Sequence, residues 1–256
     1  MNCFKKTEGL KYVHNEEAHN MVSPGIVVPV VLKFVQPENV VDFGCGIGTW
    51  LHAFKNNGVN EVLGLDGKWY NPKLLFKHIS PDEFKCVDLE YPIRLEKKYD
   101  LVVSLEVAEH LSAESADIFV ESLTNAGKVI LFSAAFPGQG GENHLNEQWY
   151  DYWVKKFEKH NYYFHDVIRN EIWNNRDVQR WYKQNMFFVV HKDVDFNYPE
   201  DSTYLKYGFL HPDFYYMLSE YTDLVQDGQG GGFFYFNMLM KSIKNKFFKL
   251  IGCKKN

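Results

Sequence analysis

Asp42-Phe-Gly-Cys-Gly-Ile-Gly48 is the stretch on which the fold turns. It follows a short apolar run, Asn39-Val-Val41, and precedes Thr49-Trp-Leu-His-Ala-Phe54, which reads as a helix. Strand, tight glycine turn, helix is how α/β proteins bring a cofactor against bare backbone. The glycines at 44, 46 and 48 form a G-x-G-x-G pattern with an acid two places before the first. A dinucleotide fingerprint needs its third glycine one residue later, so the spacing disfavours a hydride-transferring dehydrogenase.

Working outward, Ser23-Pro24 reads as an N-cap and first helical residue, opening a helix towards Phe34 that ends before Pro37. Strands are expected at 39–43, Glu61–Asp66, Phe84–Asp88, Tyr99–Ser104 and Lys128–Ser133, with a helix from Ala113 to Leu123 between the last two. An amphipathic helix from Trp149 to His160 follows, then strands at Phe164–Arg169 and Asn185–His191. Strands alternating with helices at this interval predict a Rossmann-like α/β fold. Its seven-stranded, mostly parallel sheet carries helices on both faces. Three segments result: an N-terminal helical lid over 1–36, a core over 37–192, and an aromatic-rich extension with a basic tail over 193–256.

Acids at the carboxyl ends of successive parallel strands converge on one crevice. Asp42 ends the first expected strand, Asp66 the second and Asp88 the third. Any one of them could be a helix cap or loop carboxylate; the three in this order argue for a ligand. Asp66 lies 18 residues past Gly48, where a carboxylate can accept both hydroxyls of a ribose. Asp88 is placed to accept from an exocyclic adenine amine.

Asp42-Phe-Gly-Cys-Gly-Ile-Gly48, Gly64-Leu-Asp66, Val87-Asp-Leu89 and Tyr99-Asp-Leu-Val-Val-Ser-Leu-Glu-Val-Ala-Glu-His-Leu111 together resemble the successive motifs of class I S-adenosylmethionine-dependent methyltransferases. The resemblance covers roughly residues 37–192. It implies a seven-stranded sheet whose last strand is antiparallel, with S-adenosyl-L-methionine as cofactor. By position, it puts Gly44, Gly46 and Gly48 against the cofactor, Asp66 on the ribose, Asp88 and Leu89 on the adenine, and Glu106 beside the cofactor or the transfer site. A second stretch, Phe132-Ser-Ala-Ala-Phe-Pro-Gly-Gln-Gly-Gly-Glu-Asn-His-Leu-Asn-Glu-Gln-Trp149 with Trp181-Tyr-Lys-Gln-Asn185, is similar to a bacterial and viral subgroup linked to glycan and other small-molecule modification.

The acceptor side is read from Pro137-Gly-Gln-Gly-Gly141, a flexible loop at the carboxyl edge of the sheet, and from His144 just after it. Methyl transfer to a hydroxyl requires removal of a proton from a weak nucleophile. A histidine of pKa near ~6.5 suits that task and contributes roughly 10²–10⁴ in rate. Asn146, Glu147 and Gln148 could orient it or bind acceptor hydroxyls, and the alternative for His144 and Asn146 is to cap the following helix. His110 is the second candidate base, since the adjacent Glu109 carboxylate would raise its basicity. Tyr182, Gln184 and Asn185 could face the acceptor, on the strength of the subgroup resemblance. Trp149 and Trp153, at helical spacing, read as core. His14, His19, His110 and His144 could join acids around a metal, but no pair has a compact ligand spacing, so no metal is expected.

Apolar residues make up 45% of the 256, ample for a core, and the net charge of −5 argues against a nucleic-acid partner. The four cysteines are scattered without a C-x-x-C pair, and Met1–Lys11 lacks the apolar stretch of a signal peptide. Both suit a cytoplasmic protein. Lys241–Asn256, with six lysines, no acids and interleaved apolar residues, is a candidate for peripheral membrane contact. The expected activity is O-methylation of a small polar acceptor such as a sugar, nucleotide-sugar or glycan substituent. N-methylation of a small amine is the alternative, and a non-catalytic cofactor-binding scaffold is the alternative of another class. No Asn/Asp-Pro-Pro-Tyr/Phe element follows the fourth strand and no Pro-Cys is present, which disfavours nucleic-acid methylation.

Overall fold

The computed structural model describes residue 16 and residues 19–196, 210–226, 231–233, 235–236 and 238–240. The chain divides into two compact units, Met1–Phe209 and Leu210–Asn256. In the first, the strands are β1 (Asn39–Phe43), β2 (Glu61–Asp66), β3 (Phe84–Cys86), β4 (Leu101–Leu105), β5 (Val129–Ser133), β6 (Tyr162–His165) and β7 (Phe187–His191). Its helices are α1 (Val22–Val31), α2 (Thr49–Asn56), α3 (Pro72–Leu75), α4 (Ala116–Ala126), α5 (Tyr150–Glu158), α6 (Ile168–Ile172) and α7 (Arg180–Asn185). The second unit contains α8 (Pro212–Gln226).

The strands form one sheet in the order β3-β2-β1-β4-β5-β7-β6. β1 to β5 pair in parallel, and β7 alone runs against its neighbours β5 and β6. The expected seven-stranded, mostly parallel sheet is what forms.

Its packing follows from side chains alternating across a strand. Val40, Leu101, Val103, Leu131, Phe188 and Val190 point into one core with Val27, Leu51 and Phe54 from α1 and α2. Val41, Phe43, Val102, Ile130, Phe132 and Val189 point into the other with Phe119, Leu123, Trp153 and Phe157 from α4 and α5. A sheet buried on both faces explains why Leu101–Val103 of β4 and Val129–Phe132 of β5 read as continuous apolar runs.

The helices that follow β1 and β4, the two central strands, therefore lie on opposite faces. The chain parts at their carboxyl ends and opens a crevice there. Both segments that carry candidate chemistry, the glycine turn after β1 and Glu106 after β4, sit at this point.

Several boundaries differ from expectation. β3 ends at Cys86, so Asp88 lies in the loop beyond it. Ser23 is inside α1 and does not cap it: its hydroxyl accepts from the Gln179 N–H at 3.0 Å and ties α1 to the segment before α7. Trp153 is buried as core, but Trp149 is 56% exposed and stacks on Phe136, because it precedes the first turn of α5. Among the described residues, no helix is long and apolar enough to cross a membrane. The basic stretch Lys241–Asn256, and His14 and Glu17 of the expected lid, lie outside the described residues.

Candidate active site

The cofactor half is built by the turn between β1 and α2. Gly44, Gly46 and Gly48 have φ of 87°, 55° and 82°, a left-handed region that costs residues with a Cβ. Gly44 is further constrained by Val107: a Cβ there would stand 2.4 Å from the valine Cγ2. The turn is held to the end of β2 by the Gly44 and Cys45 N–H groups, which donate to the Leu65 carbonyl at 2.8 and 3.1 Å.

Asp66 completes this arrangement. One carboxylate oxygen accepts from the Gly46 N–H at 2.7 Å and the other from the Gly67 N–H at 2.6 Å. Burial pushes its pKa up to about 6, although these two amides and the Trp69 indole act against the shift. Asp42 is also buried, and burial followed by the charge of Asp66 pushes it well above the usual carboxylate range. Bare backbone beside a buried carboxylate fits the adenosyl part of the expected cofactor, whose ribose hydroxyls can donate to that carboxylate. Asp88 is partly exposed and accepts from the Glu90 N–H at 3.1 Å, and Leu89 is buried beside it. Both lie one sheet position outward, in the loop after β3.

Glu106 opens the other half. It has φ 56°, an unusual conformation for a residue with a side chain. Its N–H donates to both the carbonyl and the hydroxyl of Ser133 at the end of β5. Its carboxylate accepts from Gln139 Nε2 at 2.7 Å and Asn185 Nδ2 at 3.0 Å. Burial raises its pKa, and those two amides with Ser133 offset part of the rise. Glu106 thereby joins the end of β4, the glycine loop after β5, and α7.

His144 lies where these segments meet. Its Nδ1 is 2.7 Å from Glu147 Oε1, and the Glu147 carboxylate also accepts from the Gly138 and Gly140 N–H groups at 2.8 and 3.0 Å. Burial works to raise the Glu147 pKa, but the hydrogen bonds from Gly138, His144 and Gly140 outweigh it and the carboxyl is held low. Glu147 is therefore the residue that folds the loop and fixes the imidazole. Gly141 passes over the ring so closely that a Cβ would stand 2.2 Å from Nε2.

His110 faces His144 edge-on, with ring centroids 4.8 Å apart. The expectation that Glu109 raises its basicity is reversed. Burial, then the neighbouring His144, lower its pKa to about 4 against a hydrogen bond with the Asn143 backbone, so the ring is neutral at pH 7. Glu109 is wholly buried, and its carbonyl accepts from the Leu145 and Asn146 N–H groups at 2.7 and 2.9 Å, which draws the His144 segment against the end of β4. One donor atom each from Glu109, His110 and His144 lies within 4.8 Å of the others. The sequence spacing that argued against a compact ligand set does not survive folding, because the parallel neighbours β4 and β5 deliver the two segments to one edge.

The remaining candidates are placed less simply. Asn146 is buried, and its side-chain oxygen accepts from Gln148 at 2.8 Å. Tyr182 and Gln184 are buried within the protein. Tyr182 takes the Trp50 indole N–H at 3.4 Å, and Gln184 pairs with the Tyr150 hydroxyl at 2.9 Å. α7 places both side chains in the interior. The residues that do reach the Glu106 carboxylate are Asn185 and Gln139, which bond each other at 2.7 Å. Their signal was their position in the two stretches that carry the subgroup resemblance.

Residues 25–175 match the family model of the methyltransferase domain. The chain is 30% identical over 87 residues to the mitochondrial ubiquinone biosynthesis O-methyltransferase of Dictyostelium discoideum, covering 28% of this chain and 27% of that protein. The chain therefore spans about a quarter of the length of that curated relative. Among solved structures, the sugar N-methyltransferase KedS8 from Streptoalloteichus sp. ATCC 53650 has a TM-score of 0.54 at 11% identity, over 75% of this chain and 97% of that one. The S-adenosylmethionine-bound amino pentose methyltransferase CalS10 from Micromonospora echinaspora has a TM-score of 0.51 at 14% identity, over 73% and 100%. At such identities they share the fold. The family match covers most of the sheet and both halves of the crevice: the chain belongs to the methyltransferase-domain family, as a class I domain whose cofactor is S-adenosylmethionine.

Proposed function

We propose that this chain methylates an oxygen of a small polar acceptor of the sugar, nucleotide-sugar or glycan-substituent kind, with His144 as the proton acceptor. The observation that carries this reading is the His144–Glu147 contact at 2.7 Å. A carboxylate on Nδ1 selects the tautomer whose Nε2 lone pair is available, and orients the ring for proton transfer. Bound S-adenosylmethionine supplies an activated methyl on a positive sulfonium that ends as a neutral thioether. The chain's own contribution is position and charge. The glycine turn lets the cofactor approach the backbone, Asp66 accepts from the ribose, and Glu106 with Gln139 and Asn185 holds the loop that carries the base. The acceptor oxygen gains the methyl and gives its proton to His144 Nε2.

The small-acceptor reading is supported by two structural neighbours whose names specify sugar substrates, and the oxygen by the name of the D. discoideum relative. An amine acceptor is the second reading, favoured by the N-methylating name of one of those neighbours.

A screen of hydroxylated and amino-sugar acceptors with methyl-labelled S-adenosylmethionine tests both, run beside His144→Ala. The expected result is transfer to a hydroxyl, reduced about 10²–10⁴-fold in the variant, with cofactor affinity unchanged. An acceptor methylated at an undiminished rate by His144→Ala removes the imidazole from the reaction.

A further inference from the structure

We propose that Glu109, His110 and His144 form a site for one divalent transition-metal ion on the acceptor side of the crevice. Three donor atoms, one from each residue, lie within 4.8 Å of one another. They come from two segments, the turn Ala108–His110 after β4 and the loop after β5. The two N–H···O bonds from Leu145 and Asn146 to the Glu109 carbonyl hold these segments together. The cluster is thus assembled by backbone hydrogen bonding and needs no ion to bring it together.

Glu109 is the observation that points to a ligand. It has no exposed surface, and among the described residues no side chain bonds either carboxylate oxygen; only the backbone N–H groups of Glu109 itself and Ala135 approach it. Buried carboxyls are nearly always hydrogen-bonded, paired with a cation or bound to a metal. Glu106 does not relieve it: its carboxylate is taken by Gln139 and Asn185, and its charge works against ionised Glu109. A cation held by one Glu109 oxygen and the two imidazoles gives the buried carboxylate its counter-charge. His144 supplies a third indication. Metal-bound histidines usually give their second ring nitrogen to a carboxylate or carbonyl, which fixes the ring, and Glu147 holds Nδ1 of His144 in this way.

Two imidazoles and one carboxylate suit Zn²⁺, Mn²⁺, Fe²⁺ or Co²⁺ better than Ca²⁺ or Mg²⁺, which prefer oxygen donors. Three protein ligands leave positions open for an oxygen of the acceptor. The inference rests on the methyl-transfer reading for its consequence and not for the site itself. With the ion bound, His144 Nε2 is a ligand, and the role of base proposed above then belongs to the metal-free protein alone. The acceptor hydroxyl is acidified by coordination, and its proton leaves to solvent water.

The test is a titration of metal-stripped, tag-free full-length protein with Co²⁺, followed by visible absorption and calorimetry, and a parallel titration with S-adenosylmethionine. One Co²⁺ per chain is expected, with d–d bands in the visible. Glu109→Gln and His144→Ala should each weaken binding at least about tenfold while binding S-adenosylmethionine as the parent does, which shows that they fold. Absence of saturable Co²⁺ binding at millimolar concentration overturns the metal site, as does binding equally tight in both variants. If S-adenosylmethionine binds and Co²⁺ does not, this inference alone fails; if Co²⁺ binds and S-adenosylmethionine does not, the methyl-transfer reading fails and the metal site stands.

Discussion

Lowering the pH from 7 to 5 should weaken cofactor binding through Asp66, and the structure sets the size of the effect. Burial holds this carboxyl at about 6 in the free protein, while ribose hydroxyls donate best to the ionised form. At pH 7 about nine-tenths of Asp66 is ionised and at pH 5 about one-tenth, so the affinity should fall about tenfold, or about 1.4 kcal/mol. Binding selects the ionised form and should release a proton near pH 6. Folding responds in the opposite sense. A carboxyl whose folded pKa is raised contributes stability that is fully present below its unfolded pKa, near ~4, and is lost as pH rises through about 6. Acidification therefore gains stability from Asp66 while it loses affinity. Calorimetric titration with S-adenosylmethionine at pH 5, 6, 7 and 8, beside Asp66→Asn, separates this group from any titration of the ligand. The variant should bind more weakly at pH 7 and lack the extra dependence. An affinity that is flat with pH, or an equal slope in Asp66→Asn, would refute the reasoning.

Gly141→Ala places a Cβ 2.2 Å from His144 Nε2 and must push the imidazole off Glu147. Labelled-methyl assays should show kcat lower by about 10²-fold, with S-adenosylmethionine affinity within about twofold of the parent. Gln139→Ala removes one of the amide donors to the half-buried Glu106 carboxylate. Thermal melts should register a loss of about 1 kcal/mol, the low end for an orphaned acceptor. Asp166→Ala leaves the fully buried Arg169 guanidinium without its carboxylate and should cost about 3–5 kcal/mol in urea denaturation. Trp153→Ala, a cavity beneath Phe132, should cost a similar ~3–5 kcal/mol.

The sheet was legible because each central strand announces itself by composition. Val40-Val41, Leu101-Val-Val103 and Val129-Ile-Leu131 are apolar on both faces, as a strand covered twice must be. The cofactor turn was legible because its glycines and acids are close in sequence. The short helices α6 and α7 were not. Their residues, Ile168–Ile172 and Arg180–Asn185, mix charge and apolar character without a helical period, and their conformation is imposed by packing. The acceptor side was half legible. His144 and Glu147 are three residues apart and could be read as a pair. Glu109–His110 and His144 are brought together only by the adjacency of β4 and β5, and burial then inverted the expected basicity of His110. Tyr182 and Gln184, read as leading into the last strand, lie on α7, where Trp50 and Tyr150 supply polar partners that let both be buried.

The turn at 42–48 with Asp66 is the S-adenosylmethionine site on which methyl transfer at the neighbouring strand ends depends. Titration of the full chain with S-adenosylmethionine at pH 7.5, beside Gly44→Ala, tests it most directly. One saturable site per chain is expected, in the usual enzyme range of about 1 μM to 1 mM, with a large loss in Gly44→Ala, whose Cβ would meet Val107 at 2.4 Å. No saturable binding at millimolar ligand, or equal binding by Gly44→Ala, would contradict it.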